Sequence, residues 1–223
     1  MSLVTFSELR SAAYCPRQCY YDRVADGREP PPRVERIREL AFRYADSLTA
    51  DHESLASAPI AVDPATYQAR LNRARTTNDR WDDLCSPADR EVLVAGRDCR
   101  GIVDKVLDSP LEPAVVATGA PPDRGVWETH SVTAVAAAKA LAWANGEPVE
   151  TATVEYPAHG VVRRIDLTTR RKAAYRRTLR TVREIDGPPP RIDDRSKCET
   201  CTYAPRCGVR TRTLRSRLER RRG

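Results

Sequence analysis

The sequence predicts an α/β fold in which helices flank a mixed β-sheet. Two apolar segments, 91–95 and 99–107, are joined by Gly96-Arg97-Asp98, and this spacing is typical of a β-hairpin. Strand-like and helix-like segments then alternate along the chain, which favours helices layered on both faces of a sheet. The 223 residues are enough for one well-buried domain and few for two.

The remaining elements follow from local sequence signals. Short apolar runs bounded by turn residues predict three more strands, at 114–118, 150–156 and 161–167. Apolar residues at helical spacing predict four helices, at 7–14, 34–48, 127–144 and 168–185. A shorter helical part is expected at 69–75, within an otherwise polar stretch. Three consecutive prolines predict a linker at 28–33, because proline disrupts the interior of a helix or a sheet.

We expect a soluble, cytoplasmic protein with no membrane partner. The longest apolar stretch, 132–144, is interrupted by Lys139 and is too short to span a bilayer. The first residues show no signal peptide. Transport proteins and secreted proteins are therefore not favoured.

Basic residues are concentrated in the C-terminal part of the chain. The net charge is +7 overall, but residues 160–223 carry +13 and residues 1–159 carry −6. Only four of the 38 basic residues are lysines, and arginine pairs well with phosphate through its planar fork. This distribution favours a nucleic-acid partner. The alternative is a solvated helix face in a protein that generally prefers arginine, which does not explain the uneven distribution.

The predicted DNA contacts lie on the helix at 168–185 and in a basic tail at 210–223, which follows a single domain at 1–209. Within the helix, Ala173, Leu179 and Val182 are expected to face the core, which leaves the basic residues outside. The candidate nucleic-acid-binding residues are Arg170, Arg171, Lys172, Arg176, Arg177, Arg180, Arg212 and Arg215.

Four of the seven cysteines indicate a metal centre that joins the two ends of the chain. Cys198, Cys201 and Cys207 form a C-x2-C-x5-C pattern, and Cys15 begins a Cys-Pro-Arg motif. These four thiolates suit an iron–sulfur cluster. Cys15 and Cys19 combined with Cys198 and Cys201 suit a tetrahedral zinc site equally well. Disulfides are disfavoured, since the cysteine count is odd and nothing indicates an oxidising compartment.

Four segments carry a pattern that spans 15–207. They are Cys-Pro-Arg-x-x-Tyr-Tyr at 15–21, Gly-Ile-Val-Asp at 101–104, Pro-Pro-Asp-Arg-Gly-Val-Trp-Glu at 121–128 and the C-terminal cysteine pattern. In this order they resemble the CRISPR-associated exonuclease family, the fourth Cas family, which is RecB-like and belongs to the PD-(D/E)XK nuclease superfamily. The resemblance implies a restriction-endonuclease-like core and a role on DNA single strands or ends beside a CRISPR integrase complex. It also implies a [4Fe–4S] cluster bound by Cys15, Cys198, Cys201 and Cys207.

The resemblance further implies a metal-dependent active site, most of which this sequence lacks. The family supplies a histidine, an aspartate, a Glu-x-Lys pair and a supporting Gln-x-x-x-Tyr. Here Asp104 is retained, the Glu-x-Lys positions read Ala117-Thr118-Gly119, and the remaining positions correspond to Tyr44, Thr133 and Ala137. Because Mg²⁺ and Mn²⁺ need several oxygen ligands, we expect the nuclease to be weak or inactive.

Four nearby residues are possible replacements for the lost ligands: Glu112, Asp123, Glu128 and His130. We expect each to be a solvated loop or helix-start residue, since acidic side chains favour helix N-termini. The leading hypothesis is therefore an iron–sulfur protein that binds DNA or a CRISPR partner without cutting. The alternatives are an active metal-dependent single-strand exonuclease, in which displaced carboxylates assist Asp104, and a zinc-containing interaction module with no nucleic-acid role.

Overall fold

A computed structural model describes residues 2–25 and 31–208 and shows a six-stranded mixed sheet flanked by helices. The predicted mixed α/β fold is therefore confirmed. The strands are β1 Val4–Thr5, β2 Asp89–Ala95, β3 Cys99–Leu107, β4 Glu112–Val116, β5 Thr151–Tyr156 and β6 Val161–Asp166. The helices are α1 Phe6–Tyr14, α2 Pro16–Val24, α3 Pro32–Leu40, α4 Tyr44–Thr49, α5 His52–Ser57, α6 Pro64–Thr77, α7 Trp81–Cys85, α8 Glu128–Asn145, α9 Thr169–Glu184 and α10 Ser196–Glu199.

Strand β3 lies at the centre of the sheet. It pairs antiparallel with β2 and β4 and parallel with the short β1. Strand β4 pairs parallel with β5, which pairs antiparallel with β6. Lys105 of β3 lies opposite Ala114 of β4 and opposite Arg90 of β2. Lys105 is therefore flanked by strands on both sides, and Asp104 lies just beyond the end of the β3–β4 ladder.

One face of the sheet is covered by α8, with α1 and α9 packed beside it. The buried residues of α8 are mostly alanine, so this helix approaches the strands closely. A Cβ atom on Gly96 would lie 2.7 Å from Cα of Ala140, so this approach requires glycine. In the same way, a Cβ atom on Gly101 would lie 2.3 Å from the ring of Phe6. These contacts fix α1 and α8 close to the strand that carries Asp104.

The other face is covered by the shorter helices between α3 and α7. Val115 belongs to the first core and Val116 to this second one, as successive residues of a strand point to opposite faces. The second core is built from Tyr44, Tyr67 and Trp81, and the rings of Tyr44 and Trp81 stack at 5.6 Å. Large aromatic side chains of this kind supply much of the apolar area that a small core buries.

The helix predictions needed correction in the N-terminal half. The predicted helix at 34–48 is two helices, and α3 begins inside the predicted linker, at Pro32. Proline is tolerated there because the first N–H groups of a helix have no helical acceptor. The polar stretch at 49–88 contains α5, α6 and α7, and the side chains of Asp51 and Asp63 cap the first two.

The C-terminal predictions agree more closely with the structure. Helix α9 begins one residue after Thr168, whose hydroxyl caps it by accepting the N–H of Arg171. The predicted tail at 210–223, with Arg212 and Arg215, lies outside the described residues. Within the described ranges, no helix combines the length and the apolar composition needed to cross a membrane.

Candidate functional site

Asp104, the predicted catalytic residue, is paired with an arginine. Its side chain is 8% exposed, and Oδ1 accepts a hydrogen bond from Nη2 of Arg38 at 2.5 Å. Oδ2 accepts the backbone N–H of Val116 at 2.7 Å. Burial raises the pKa of Asp104, although the Arg38 charge, the Val116 N–H and the Arg10 charge act in the opposite direction. Both oxygens of the carboxylate are therefore engaged by protein groups.

The contact with Val116 forms where β3 and β4 separate. The ladder between these strands ends at the pair Lys105 and Ala114, and Val116 lies two residues beyond it on β4. Its buried N–H donates to the Asp104 side chain instead of to the backbone of β3. An unsatisfied buried N–H costs about 1–3 kcal/mol. Asp104 therefore has a structural role that needs no metal.

Arg38 and Asp104 line a cavity of about 330 Å³. Its wall also includes the side chains of Arg10, Leu93, Ile102, His130 and Thr133. The Arg10 guanidinium forms no hydrogen bond or ion pair with the residues that the structure describes, and loss of hydration lowers its pKa. The cavity thus contains two guanidinium groups and a single buried carboxylate that is already paired.

The other predicted catalytic positions do not complete a metal site. Ala117 and Thr133 line the cavity, but neither offers a carboxylate or an ammonium group. Ala137 belongs to α8 and is buried on the side of that helix that packs in the core. Tyr44 is not part of the cavity wall and packs in the second core, whereas Arg38 approaches Asp104 from the preceding helix. The sequence analysis did not identify Arg38 or Arg10 as site residues.

The expectation that Glu112 is solvated is wrong. It is the first residue of β4 and is fully buried. Its carboxylate accepts hydrogen bonds from the hydroxyls of Thr151 and Thr153, both at 2.6 Å, and from Nε of Arg164 at 2.8 Å. These partners hold Glu112 inside the sheet and away from Asp104.

The other three replacement candidates are spread around the loop before α8. Asp123 is exposed in that loop, and Glu128 is the exposed first residue of the helix, as expected. His130 differs from the prediction, because it is partly buried and its Nδ1 lies 3.0 Å from the hydroxyl oxygen of Tyr156. Burial and the nearby charge of Arg10 lower the pKa of His130 to about 4, so the ring is neutral near pH 7.

Lys105, the residue after Asp104, forms a second buried ion pair that sequence reasoning also missed. Its Nζ donates to the carboxylate of Glu155 at 2.8 Å, and both side chains are 0% exposed. Nζ also donates to the carbonyls of Ala41 at 2.6 Å and Leu84 at 2.9 Å. The three donors of the ammonium group are therefore all used, and none faces the cavity that contains Asp104.

The predicted cluster cysteines lie where the N-terminal helices contact the C-terminal segment. The hydroxyl of Tyr14 donates to the carbonyl of Lys197 at 2.9 Å, and Nζ of Lys197 donates to the carbonyl of Tyr14 at 3.2 Å. The ring of Tyr203 stacks on Tyr21 at 5.3 Å, and its hydroxyl donates to Asp22 at 2.8 Å. These contacts bring together the segments that contain Cys15, Cys198, Cys201 and Cys207.

The thiol of Cys198 interacts electrostatically with the other three. Loss of hydration raises its pKa, and Cys15, Cys201 and Cys207 raise it further because each is a potential negative neighbour. Cys19 is fully buried, burial raises its pKa to about 11, and no cysteine acts on it. Across the described chain, no group of three His, Cys, Asp or Glu side chains is arranged to hold a metal ion. The four cysteines of the cluster alternative thus lie in segments that contact one another, whereas Cys19 is buried in the main core.

Helix α9 presents the predicted basic face. Leu179 and Val182 are buried as predicted, whereas Ala173 is only partly buried. Arg171 donates to the carbonyl of Asp166 at 3.0 Å. Of the predicted contact residues on this helix, Arg170, Arg176, Arg177 and Arg180 are exposed, and Arg171 and Lys172 are partly covered.

The comparisons with known proteins assign no family to the chain. No protein-family model matches the sequence, and no curated protein matches it. Among solved structures, the chain is similar to the crystal structure of SSO0001, with 10% identity over 92% of this chain and 96% of that one. The TM-score of this match is 0.35, which is too low to carry an argument about fold or function.

Proposed function

We propose that this protein is a DNA-binding relative of the CRISPR-associated exonucleases that has their restriction-endonuclease-like fold but does not cut DNA. The observation that carries this proposal is the 2.5 Å contact between Arg38 and Asp104. In a metal-dependent nuclease, this aspartate must present its oxygens to a divalent cation. In this protein a guanidinium group is bound to the carboxylate and supplies the positive charge instead.

A divalent cation at Asp104 would find few protein ligands. Mg²⁺ needs near-octahedral oxygen coordination at about 2.0–2.1 Å. Glu35 and Glu91 approach Arg38 only at 4.0 and 3.9 Å, and their side chains are 55% and 61% exposed. Among the described residues that line the cavity, Asp104 is the one carboxylate. The site is therefore better suited to bind DNA than to hydrolyse its phosphodiester bonds.

The proposed ligand is DNA, as single strands or ends, because the excess positive charge is mostly arginine. Residues 160–223 carry a net charge of +13. The exposed arginines of α9 belong to this part of the chain. Phosphate contacts of this kind give affinity without sequence specificity. A role as a non-cleaving accessory in DNA-end or spacer processing, beside a CRISPR integrase complex, follows from the same proposal.

The proposal includes a [4Fe–4S] cluster on Cys15, Cys198, Cys201 and Cys207. Such clusters take four cysteine thiolates. The contacts of Tyr14 with Lys197 and of Asp22 with Tyr203 join the two segments that carry these cysteines, which supports this set. The zinc alternative would need Cys19, whose side chain is fully buried in the main core. When bound, the cluster would join the turn between α1 and α2 to the C-terminal segment.

A combined binding and cleavage experiment tests the DNA proposal. Wild type and Asp104→Asn would be mixed with fluorescein-labelled single-stranded and duplex DNA, in Mg²⁺, Mn²⁺ or EDTA. We expect no cleavage, and binding that weakens by about 0.7–0.9 log units per phosphate contact for each tenfold increase in salt. Absence of salt-dependent binding would reject the proposal. Metal-dependent cleavage that Asp104→Asn abolishes would show instead an active exonuclease, with other carboxylates assisting Asp104.

Metal analysis of anaerobically purified protein tests the cluster. We expect a brown protein with about four iron atoms per chain. Cys207→Ala should lose the iron and lower the melting temperature, because metal binding contributes to folding free energy. Cys19→Ala is the matched control and should keep the iron. A colourless protein with one zinc, which depends on Cys19 and not on Cys207, would contradict the assignment.

A further inference from the structure

A cavity of about 560 Å³ has neither Asp104 nor a cysteine in its wall. It is formed where α6 meets the turn between β5 and β6 and the loop that precedes α8. Helix α6 contributes Arg70 and Arg73, the turn contributes His159, and β6 contributes Arg163. The two arginines of α6 are three residues apart and therefore project from the same side of that helix. We call this cavity the α6 cleft.

Two of its arginines are held in place by backbone carbonyls. Nη1 of Arg70 donates to the carbonyl of His159 at 3.3 Å. Arg163 donates through Nη1 to the carbonyl of Gly125 and through Nη2 to that of Asp123, the latter at 3.2 Å. A carbonyl is a neutral acceptor, so it orients the guanidinium without cancelling its charge. Arg70 and Arg163 are thus positioned in advance, and their acceptors among the described residues are carbonyls and not carboxylates.

The third arginine of the cleft is Arg73. The guanidinium of Arg73 forms no hydrogen bond or ion pair with any residue that the structure describes, and the residue is exposed. Asp123 is the one carboxylate residue among the described cleft-lining residues, and it is exposed. Burial and the charge of Arg70 lower the pKa of His159, which leaves that ring neutral near pH 7. The cleft therefore carries a net positive charge in the absence of any ligand.

The concave shape of the cleft strengthens the electric field of its arginines. A concave site with low-dielectric walls focuses the field of its charges more than a convex helix face does. Arginine forks also suit the paired oxygens of a phosphate group. By contrast, the basic residues of α9 lie along the outside of one helix, where solvent and salt screen them.

We propose that the α6 cleft binds the phosphodiester backbone of a DNA strand through Arg70, Arg73 and Arg163. This inference rests on the proposed function and assigns its principal contact surface to a part of the chain outside the basic C-terminal helix. The ligand class is a phosphodiester chain, since the cleft brings three arginine side chains together around one exposed carboxylate.

The test compares two double variants with the same change in charge. Arg70→Gln/Arg73→Gln alters the cleft, and Arg176→Gln/Arg177→Gln alters two exposed residues of α9. Fluorescence anisotropy would measure the affinity of the full chain for a labelled oligothymidine across a salt series. We expect the cleft variant to lose at least about tenfold in affinity and to reduce the salt slope by about 1.4, two phosphate contacts at 0.7 each. The α9 variant should lose less than about threefold.

Other results for the two variants would overturn either the cleft assignment or the proposed function. Equal losses in the two variants would indicate a general effect of net charge and would overturn the cleft assignment. A loss confined to the α9 variant would overturn it as well, while DNA binding as a function would stand. Wild type that does not bind oligothymidine would reject the proposed function itself. If the cleft double variant does not fold, as judged by circular dichroism, Arg73→Gln alone should still weaken binding about threefold, because Arg73 has no partner to lose.

Discussion

Asp104 and Lys105 are consecutive residues of β3, yet they occupy opposite kinds of environment. Asp104 pairs with Arg38 at the wall of a cavity, and the arginine side chain is 27% exposed. Lys105 pairs with Glu155 in a space where both side chains are 0% exposed. The alternation of a strand sends one residue to each face of the sheet. One ion pair is thus accessible to a ligand and the other is sealed.

The difference separates a functional candidate from a structural one. A sealed pair is strongly coupled to folding, because removal of one partner leaves an uncompensated charge in a medium of low dielectric. An open pair can exchange its partner for water or for a ligand at lower cost. The three charge-assisted or carbonyl contacts of Lys105 suit the first role, and the cavity beside Arg38 suits the second.

The largest expected loss of stability follows from breaking the sealed pair of Lys105 and Glu155. Lys105→Met should lower the free energy of unfolding by about 3–5 kcal/mol, because the Glu155 carboxylate is left buried and unpaired. Urea denaturation at pH 7 measures this loss. The double variant Lys105→Met/Glu155→Leu should recover most of it. A loss below about 1 kcal/mol in the single variant would mean that the pair is not sealed.

A smaller loss of stability is expected from breaking the open pair of Arg38 and Asp104. Arg38→Met should cost about 1–3 kcal/mol, since Asp104 keeps the Val116 N–H and gains access to water through the cavity. Adding Asp104→Asn to this variant should restore stability, because the amide oxygen still accepts the N–H without a charge. If Arg38→Met is as damaging as Lys105→Met, the distinction between the two pairs fails.

The third prediction uses the pH dependence of stability to test the burial of His130 in the cavity wall. The pKa of His130, in the cavity wall, is lowered to about 4 in the folded protein, against 6.5 ordinarily. Between these values the unfolded chain binds the proton and the folded one does not, so stability falls as the pH drops from 6.5 to 4. We expect a loss of about 2 kcal/mol after allowance for partial exposure. His130→Gln should flatten this part of the melting-temperature profile, and an unchanged profile would contradict the burial of the ring.

Local signals in the sequence predicted much of the fold. The hairpin followed from Gly96-Arg97-Asp98, and α9 followed from its apolar spacing after a capping threonine. The break between α3 and α4 has a weaker signal, since the apolar period continues through it. Pro32 was misleading, because the same residue that ends a helix also suits its first turn.

The charged pairs could not be predicted in the same way. Arg38 and Asp104 are 66 residues apart, and Lys105 and Glu155 are 50 apart. Nothing local distinguishes Arg38 from the other arginines of its helix, although its position between the buried Ile37 and Leu40 places it near the core face. Glu112 and Glu155 look like solvated strand residues until tertiary contacts supply their partners. Such pairs depend on topology, which sequence patterns specify only coarsely.

The contacts between Tyr14 and Lys197 have a consequence for the timing of biogenesis. These residues are 183 positions apart, and Asp22 and Tyr203 are 181 apart. At a synthesis rate of about 5–20 residues per second, the N-terminal helices wait about 9 to 37 s on the ribosome before their partners have been made. During that interval the surface around α2 is uncovered and accessible to nascent-chain chaperones. Completion of this junction is therefore late relative to the synthesis of α1 and α2, and so is any loading of a group that bridges it.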